Sequence, residues 1–291
     1  MAGRTISNES EKWDINITSR GGYLDFNSKE LWHYRDLLMM FVKKDIITVY
    51  KQTILGPIWF VIQPILTTLM FVLVFGKIAN IGTDEVPPIL FYLGGLTMWN
   101  YFSETLNITS KTFTDNANIF GKVYFPRLIL PLSKVISGMI KFLVQFGLFL
   151  LVWVYFFLVK KSISPNAYIL LIPVLLVIMA MLSLGFGLFI TSMTTKYRDL
   201  AFLVAFGVQL LMYATPVIFP LSNIQGHPRI LLCMKLNPLS PLFETFKYAF
   251  FGKGGSFSLP WLLYSVGFTT ILLFSGILIF NKVEKRFIDT V

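Results

Sequence analysis

The sequence predicts an all-α integral membrane protein: six transmembrane helices, an amino-terminal helix lying along the cytoplasmic face, and short re-entrant helices ahead of the last span. Three observations lead there. Of 291 residues, 55% are hydrophobic and only 14% charged, against about 25% charged in soluble domains, and mean hydropathy is +0.68. The apolar residues gather into charge-poor runs close to the roughly 20 residues a helix needs to cross a bilayer. Lys and Arg are unevenly shared among the segments between those runs.

Residues 1–29 form a polar cytoplasmic extension. No apolar stretch lies near Met1, so no cleavable signal peptide is expected and the amino terminus is expected to stay in the cytoplasm. Residues 30–54 read as an interfacial amphipathic helix. Leu31, Tyr34, Leu38, Phe41 and Val42 fall at helical spacing, with Arg35, Asp36, Lys43, Lys44 and Asp45 mostly elsewhere on the helix. Gly56-Pro57 ends it, because proline lacks a backbone donor and suits a first helical turn. The corner predicts a chain that runs along the membrane before it and through the membrane after it; one long bent helix is the alternative that spacing leaves open.

Residues 55–291 form a single membrane domain without internal repeat. Its spans are expected at about 58–76, 89–110, 135–159, 168–193, 200–219 and 259–281. Between the last two, Pro216, Pro220, Pro228, Pro238 and Pro241 cut an apolar stretch too broken to span. Non-helical backbone at membrane depth survives only when buried in protein or lining water, which predicts short re-entrant helices. A folded periplasmic loop, with Asn237-Pro238 as a turn, is the alternative.

Six spans put both termini on one side. With the amino terminus inside, segments 1–57, 111–134, 194–199 and 282–291 hold seventeen of the 25 Lys and Arg. Seven lie outside (Lys77, Lys160, Lys161, Arg229, Lys235, Lys247, Lys253), and Lys141 falls within a span. The bias predicts cytoplasmic termini, with the Lys160-Lys161 pair against the rule. The net charge of +10 then reads as basic loops facing anionic lipid, not as a nucleic-acid footprint. A single cysteine, Cys233, excludes an intrachain disulfide. Glu104 and Lys141 are the two charges inside spans. Intramembrane charges are costly and usually paired, and each lies about 10 Å from the inner end of its span by helical rise. An ion pair between them is expected.

Stretches in four regions, in order, carry a family resemblance. "YKQTILGPIWFVIQP" (50–64) resembles the first-span signature of ABC-2-type permeases that export polysaccharides, a family that includes O-antigen, capsule and teichoic-acid exporters, and the extension ending in "LWHYRDLLMMFVKKD" (31–45) looks most like that of the lipopolysaccharide O-antigen exporters. "NIFGKVYFPRLILPLS" (118–133) resembles their loop between spans two and three, and "KYRDL" (196–200) that between spans four and five. "ATPVIFP" (214–220) and "NPLSPLFETFKYAFFG" (237–252) resemble their last external segment. The resemblance implies a homodimer bound to two P-loop ATPase subunits, moving a lipid-linked polysaccharide across the bacterial inner membrane. It also implies that ATP and Mg belong to the ATPase. This chain has no G-x-x-x-x-G-K-[ST], and "GKGGS" (252–256) lacks that spacing, so no cofactor is expected on it.

The resemblance places a coupling helix in the loop 115–131. Asn118, Phe120, Lys122, Tyr124, Phe125 and Arg127, read as exposed aromatics with basic neighbours, are the expected ATPase contacts; an ordinary loop on lipid headgroups is the bland reading. Arg198 and Asp199 are expected to pair and cap the turn into span five. On span five Phe202, Phe206, Gln209 and Tyr213 share a face, as do Trp59 and Gln63 on span one. Aromatic rings stack on sugars and amides bond hydroxyls, and the family lines its channel with these two spans, so these six residues are the expected path. Packing or lipid contact is the competing use of such stripes. Arg35, Lys43, Lys44 and Lys51 supply positive charge for a pyrophosphate at the cytoplasmic entrance, or equally for lipid.

Two other functions compete: an ABC-2 exporter of a drug or simple lipid, and a membrane enzyme acting on lipid-linked sugars. The enzyme needs convergent acid, base or metal groups. His33 and His227 lie far apart in sequence, and Asp84-Glu85 are adjacent and external.

Overall fold

The computed structural model describes residues 28–51, 56–116, 119, 125–161, 163–194, 197 and 199–287. All regular structure among them is helical: α1 (Ser28–His33), α2 (Arg35–Lys51), α3 (Trp59–Phe71), α4 (Pro88–Thr109), α5 (Thr112–Asp115), α6 (Ile129–Tyr155), α7 (Ile172–Thr194), α8 (Leu200–Tyr213), α9 (Pro228–Leu236), α10 (Ser240–Phe251) and α11 (Leu259–Phe287).

The expected interfacial helix is two pieces, broken at Tyr34. Its buried side chains, Phe41 and Val42, face α6, against which α2 packs. Residues 52–55 lie outside the described residues. At the corner Gly56 has φ of 49°, a left-handed value that glycine adopts without steric cost, and a single 3₁₀ turn (Gly56–Ile58) leads into α3. Pro64 sits buried inside α3, and the helix loosens into a π-helix over Val72–Ile78.

Among the described residues four helices are long and apolar enough to cross a membrane: Trp59–Ile78, Ile129–Lys160, Ala167–Thr194 and Leu259–Val283. α4 has the length, at 22 residues, but carries Asn100, Ser103, Glu104 and Asn107 among its apolar side chains. It can hold them because it is the central helix, buried on nearly every face against α3, α6, α7, α8 and α10. α8 is apolar but has only 14 residues, about 21 Å of rise. The expected fifth span, 200–219, therefore stops early. After Tyr213 the chain turns, Thr215 Oγ1 donates to the Met212 carbonyl at 2.8 Å, and Thr215–Ile218 are buried as irregular backbone.

The ends of α4, α7 and α11 and the start of α6 meet at one end of the bundle, with α2 across them. Phe113, just past α4, stacks on Phe280 at 4.6 Å, and Thr194 donates to the Ser110 carbonyl at 2.9 Å. The opposite end is closed by α10, which is buried at all but one of its positions from Ser240 to Phe251. Its carbonyls at Ala249 and Phe251 accept from the backbone of Asn166 (3.0 Å) and Ser164 (3.3 Å). Trp153 Nε1 donates to Phe250 at 2.9 Å. A short helix buried all round is not a surface loop, so α10 lies inside the bundle, whereas most of 222–233 is exposed.

The Lys160-Lys161 exception to the charge rule also has a local account. Lys160 lies 5.1 Å from the Phe156 ring, and Lys161, at φ of 47°, ends the π-turn of α6.

Candidate functional site

Two places in the fold concentrate charge where an apolar protein would avoid it. The first lies at the α2 end. Lys134 and Lys141 are seven residues apart on α6, hence on one face. Lys134 Nζ donates to Asp45 of α2 at 2.6 Å, and Ser137 Oγ donates to the same carboxylate at 3.3 Å. Two turns along, Lys141 is ion-paired with Glu104 of α4, and its Nζ lies 5.5 Å from the Phe60 ring. The Glu104–Lys141 pair is the arrangement expected from their depths. The Asp45–Lys134 pair was not anticipated, although the seven-residue spacing of the two lysines was a signal for it.

The second place is α10. Lys247, counted above among the outside loop charges, is completely buried; the count used it wrongly, because residues 240–251 are interior helix and not loop. Its ammonium donates to the Pro216 carbonyl and lies 3.7 Å from the centroid of Phe91. Glu244, one turn before it, accepts from Ser256 N at 3.1 Å and Ser256 Oγ at 3.2 Å. Asn237 bridges Ala214 and α10, its Nδ2 donating to the Ala214 carbonyl at 2.9 Å while its Oδ1 accepts from Leu239 N at 3.0 Å. Asn237-Pro238 thus makes a turn that also ties the end of α8 to α10. Gly252, at φ of 67°, caps that helix.

Asp84 and Glu85 are neither paired with each other nor part of a metal site. Asp84 accepts from Ser222 Oγ, at 2.6 Å to its nearer oxygen, and Glu85 is ion-paired with Lys253. The Lys253 hydrogen bond, and then its charge, hold the Glu85 carboxyl below the usual carboxylate range. These contacts fasten the loop after α3 to the segments around α10. Among the described residues no group of three or more His, Cys, Asp or Glu could hold a metal.

The expected path residues fall on two separate exposed faces. Trp59 and Gln63 are exposed on α3, which packs on α4 and α6; Phe202, Phe206, Gln209 and Tyr213 are exposed on α8, which packs on α4 and α7. Phe202 is 82% exposed, too much for a side chain packed inside its own chain. Arg35, Lys43, Lys44 and Lys51 all stand exposed on α2, with Arg35 over the Trp32 ring at 5.5 Å.

Of the expected ATPase contacts, Asn118, Phe120, Lys122 and Tyr124 lie outside the described residues. Phe125 and Arg127 correct the expectation: both are buried. Phe125 packs on Phe41 of α2 at 5.9 Å, in a cluster with Phe113, Ile129 and Leu130. From Phe125 on, the chain packs beside α2, so these two side chains are not the exposed ones expected. Asp199 makes no side-chain cap to α8, and Arg198 lies outside the described residues.

Residues 36–251 match the ABC-2 type transporter family. The O-antigen export system permease protein RfbA of Myxococcus xanthus is 26% identical over 263 residues, covering 90% of this chain and 98% of that protein. A protein of the same description from Klebsiella pneumoniae is 26% identical over 254 residues, covering 87% of this chain and 94% of its own length.

Proposed function

The chain belongs to the ABC-2 type transporter family, and from that premise we propose that it is the transmembrane subunit of an ABC exporter that carries a lipid-linked polysaccharide such as O antigen across the bacterial inner membrane. One observation carries the reading. The similarity to O-antigen export permeases runs along 90% of this chain and 98% of the relative from M. xanthus, a longer stretch than the family match at 36–251.

In this reading the chain crosses the bilayer six times. α4 is the second crossing, and α8 with the buried turn after it is the fifth. The α2 end faces the cytoplasm, where most of the basic residues fall, and both termini lie there. Two copies form the permease and two P-loop ATPase subunits drive it; ATP and Mg are bound by the ATPase. The subunit itself moves cargo and catalyses no bond change.

The buried anchor of the loop 111–128 gives the ATPase a mechanical route. A partner pressing on the loop between α5 and α6 presses through Phe125 on Phe41, and so on α2 and the start of α6 together. The exposed face of α2, with Arg35, Lys43, Lys44 and Lys51, meets the pyrophosphate end of the cargo. The faces of α3 and α8 that carry Trp59, Gln63, Phe202, Phe206, Gln209 and Tyr213 line the path between two copies.

The test is to delete the gene and follow lipid-linked glycan by leaflet. Full-length glycan is expected to accumulate facing the cytoplasm and to vanish from the cell surface. Unchanged surface glycan would overturn the cargo assignment in favour of a drug or simple lipid. A shortened or altered glycan would point to an enzyme.

A further inference from the structure

Behind the corner at Gly56-Pro57 lies a cavity of about 170 Å³, room for five or six waters at about 30 Å³ each. It is bounded by α2, α3, α4 and α6, and both ion pairs of the α2 end, Asp45–Lys134 and Glu104–Lys141, line it. Their side chains are between a fifth and two fifths exposed, so the charges can be reached from the cavity. A charged group has hydrogen-bonding capacity beyond a single partner, and an occupant of the cavity is placed to use it.

The chemistry of the lining narrows that partner. Two ammoniums and two carboxylates balance, so a purely anionic group would meet Asp45 and Glu104, and a purely cationic one Lys134 and Lys141. The pairs are not saturated. A lysine carries three donors and a carboxylate about four lone-pair sites; each lysine is seen to give one donor to its acid. The lining can therefore accept from an ammonium and donate to a phosphate at once. Its remaining walls, among them Phe60 and Val144, are apolar. The cavity also sits where α2 meets α3.

We propose that this cavity binds the headgroup of one zwitterionic phospholipid bearing a primary ammonium and a phosphate, drawn between α2 and α3. The site does not depend on which cargo the protein exports. An occupied cavity would fill the space between the surface helix and the bundle and brace their junction.

The test uses the full chain, purified in detergent and stripped of lipid. Phosphatidylethanolamine, phosphatidylglycerol or phosphatidylcholine is then added back, and retained lipid is counted by native mass spectrometry. One phosphatidylethanolamine per chain is expected to be retained about tenfold more strongly than the other two. Phosphatidylglycerol lacks the ammonium, and phosphatidylcholine has no N–H to give the carboxylates. Glu104→Gln with Lys141→Met removes one charge of each sign together, so neither is left unpaired; it should lower retention about fivefold, the worth of a typical hydrogen bond. Ile140→Phe, which narrows the cavity, should lower it further. Equal retention of the three lipids by the wild-type chain overturns the proposal whatever the variants do. Preference for phosphatidylglycerol reduces the site to a basic patch and also overturns it. Selectivity that survives in both variants places the lipid elsewhere and overturns this site.

Discussion

Lys247 shows how the interior of this protein holds a lysine side chain. Its ammonium has two contacts, the Pro216 carbonyl and the face of Phe91, while the Glu244 carboxylate one turn earlier acts on it through its charge without touching it. The first fastens α10 to irregular backbone after α8, whose carbonyls have lost helical partners; the second fastens it to α4. Removing one member of a buried pair leaves the other uncompensated, at a cost of about 3–5 kcal/mol, whereas replacing both by apolar or neutral groups of similar size is often tolerated. Lys247→Met is therefore expected to lose stability of that order, and Glu244→Gln with Lys247→Met to lose less than Lys247→Met alone. Heat or denaturant unfolding of the purified chain in detergent measures both. A double variant no more stable than the single would mean that the Pro216 and Phe91 contacts, and not Glu244, hold the cation.

At the scale of elements, the tightest pairing joins α7 to α11. It depends on small residues: a Cβ at Gly276 would lie 2.8 Å from the Gly185 carbonyl oxygen, and one at Gly185 would lie 3.1 Å from the Leu273 backbone. Between membrane helices, close approach through small residues replaces the hydrophobic driving force that water would provide. Gly276→Leu should force the two helices apart and cost about 1–3 kcal/mol or more, as overpacking does. Gly267→Leu, on the same helix with no neighbouring atom within 4 Å of a Cβ, should be near neutral. Unfolding midpoints of the two variants decide it; helix propensity favours leucine over glycine at both positions, so equal losses would show that close packing at Gly276 is not what sets the cost. The long apolar helices and the break at Gly56 were legible in the sequence because period, length and proline report local physics. The sequence was less informative about α4 and α10. Their polar and charged residues are stable only because other helices surround them, and no local pattern states which helices those are. The same limit explains Phe125 and Lys247. Each was assigned to a loop by its neighbours in sequence, while its environment is set by α2 or α4.

For the whole molecule, the unsolved element of the single chain is its covering. α3 leaves Leu66, Leu69 and Met70 exposed and α8 leaves Phe202, Leu203 and Phe206 exposed, which lipid would satisfy. It would not satisfy Gln63 and Gln209, which stand on the same two faces and are also exposed. A side-chain amide turned to hydrocarbon loses its hydrogen bonds at a cost of several kcal/mol. The two amides therefore argue that these faces meet water or a second copy, while Leu151 on α6, 73% exposed and apolar, meets lipid. Cysteine labelling separates the two settings, because a thiol needs water to ionise and react. In a Cys233→Ser background, Gln63→Cys and Gln209→Cys in membranes should react with a charged thiol reagent at least about tenfold faster than Leu151→Cys. A two-ended thiol cross-linker should join copies through the first two positions and not through the third. Uniform protection of all three would mean that lipid covers α3 and α8, and the path would have to be sought among helices now buried in the bundle.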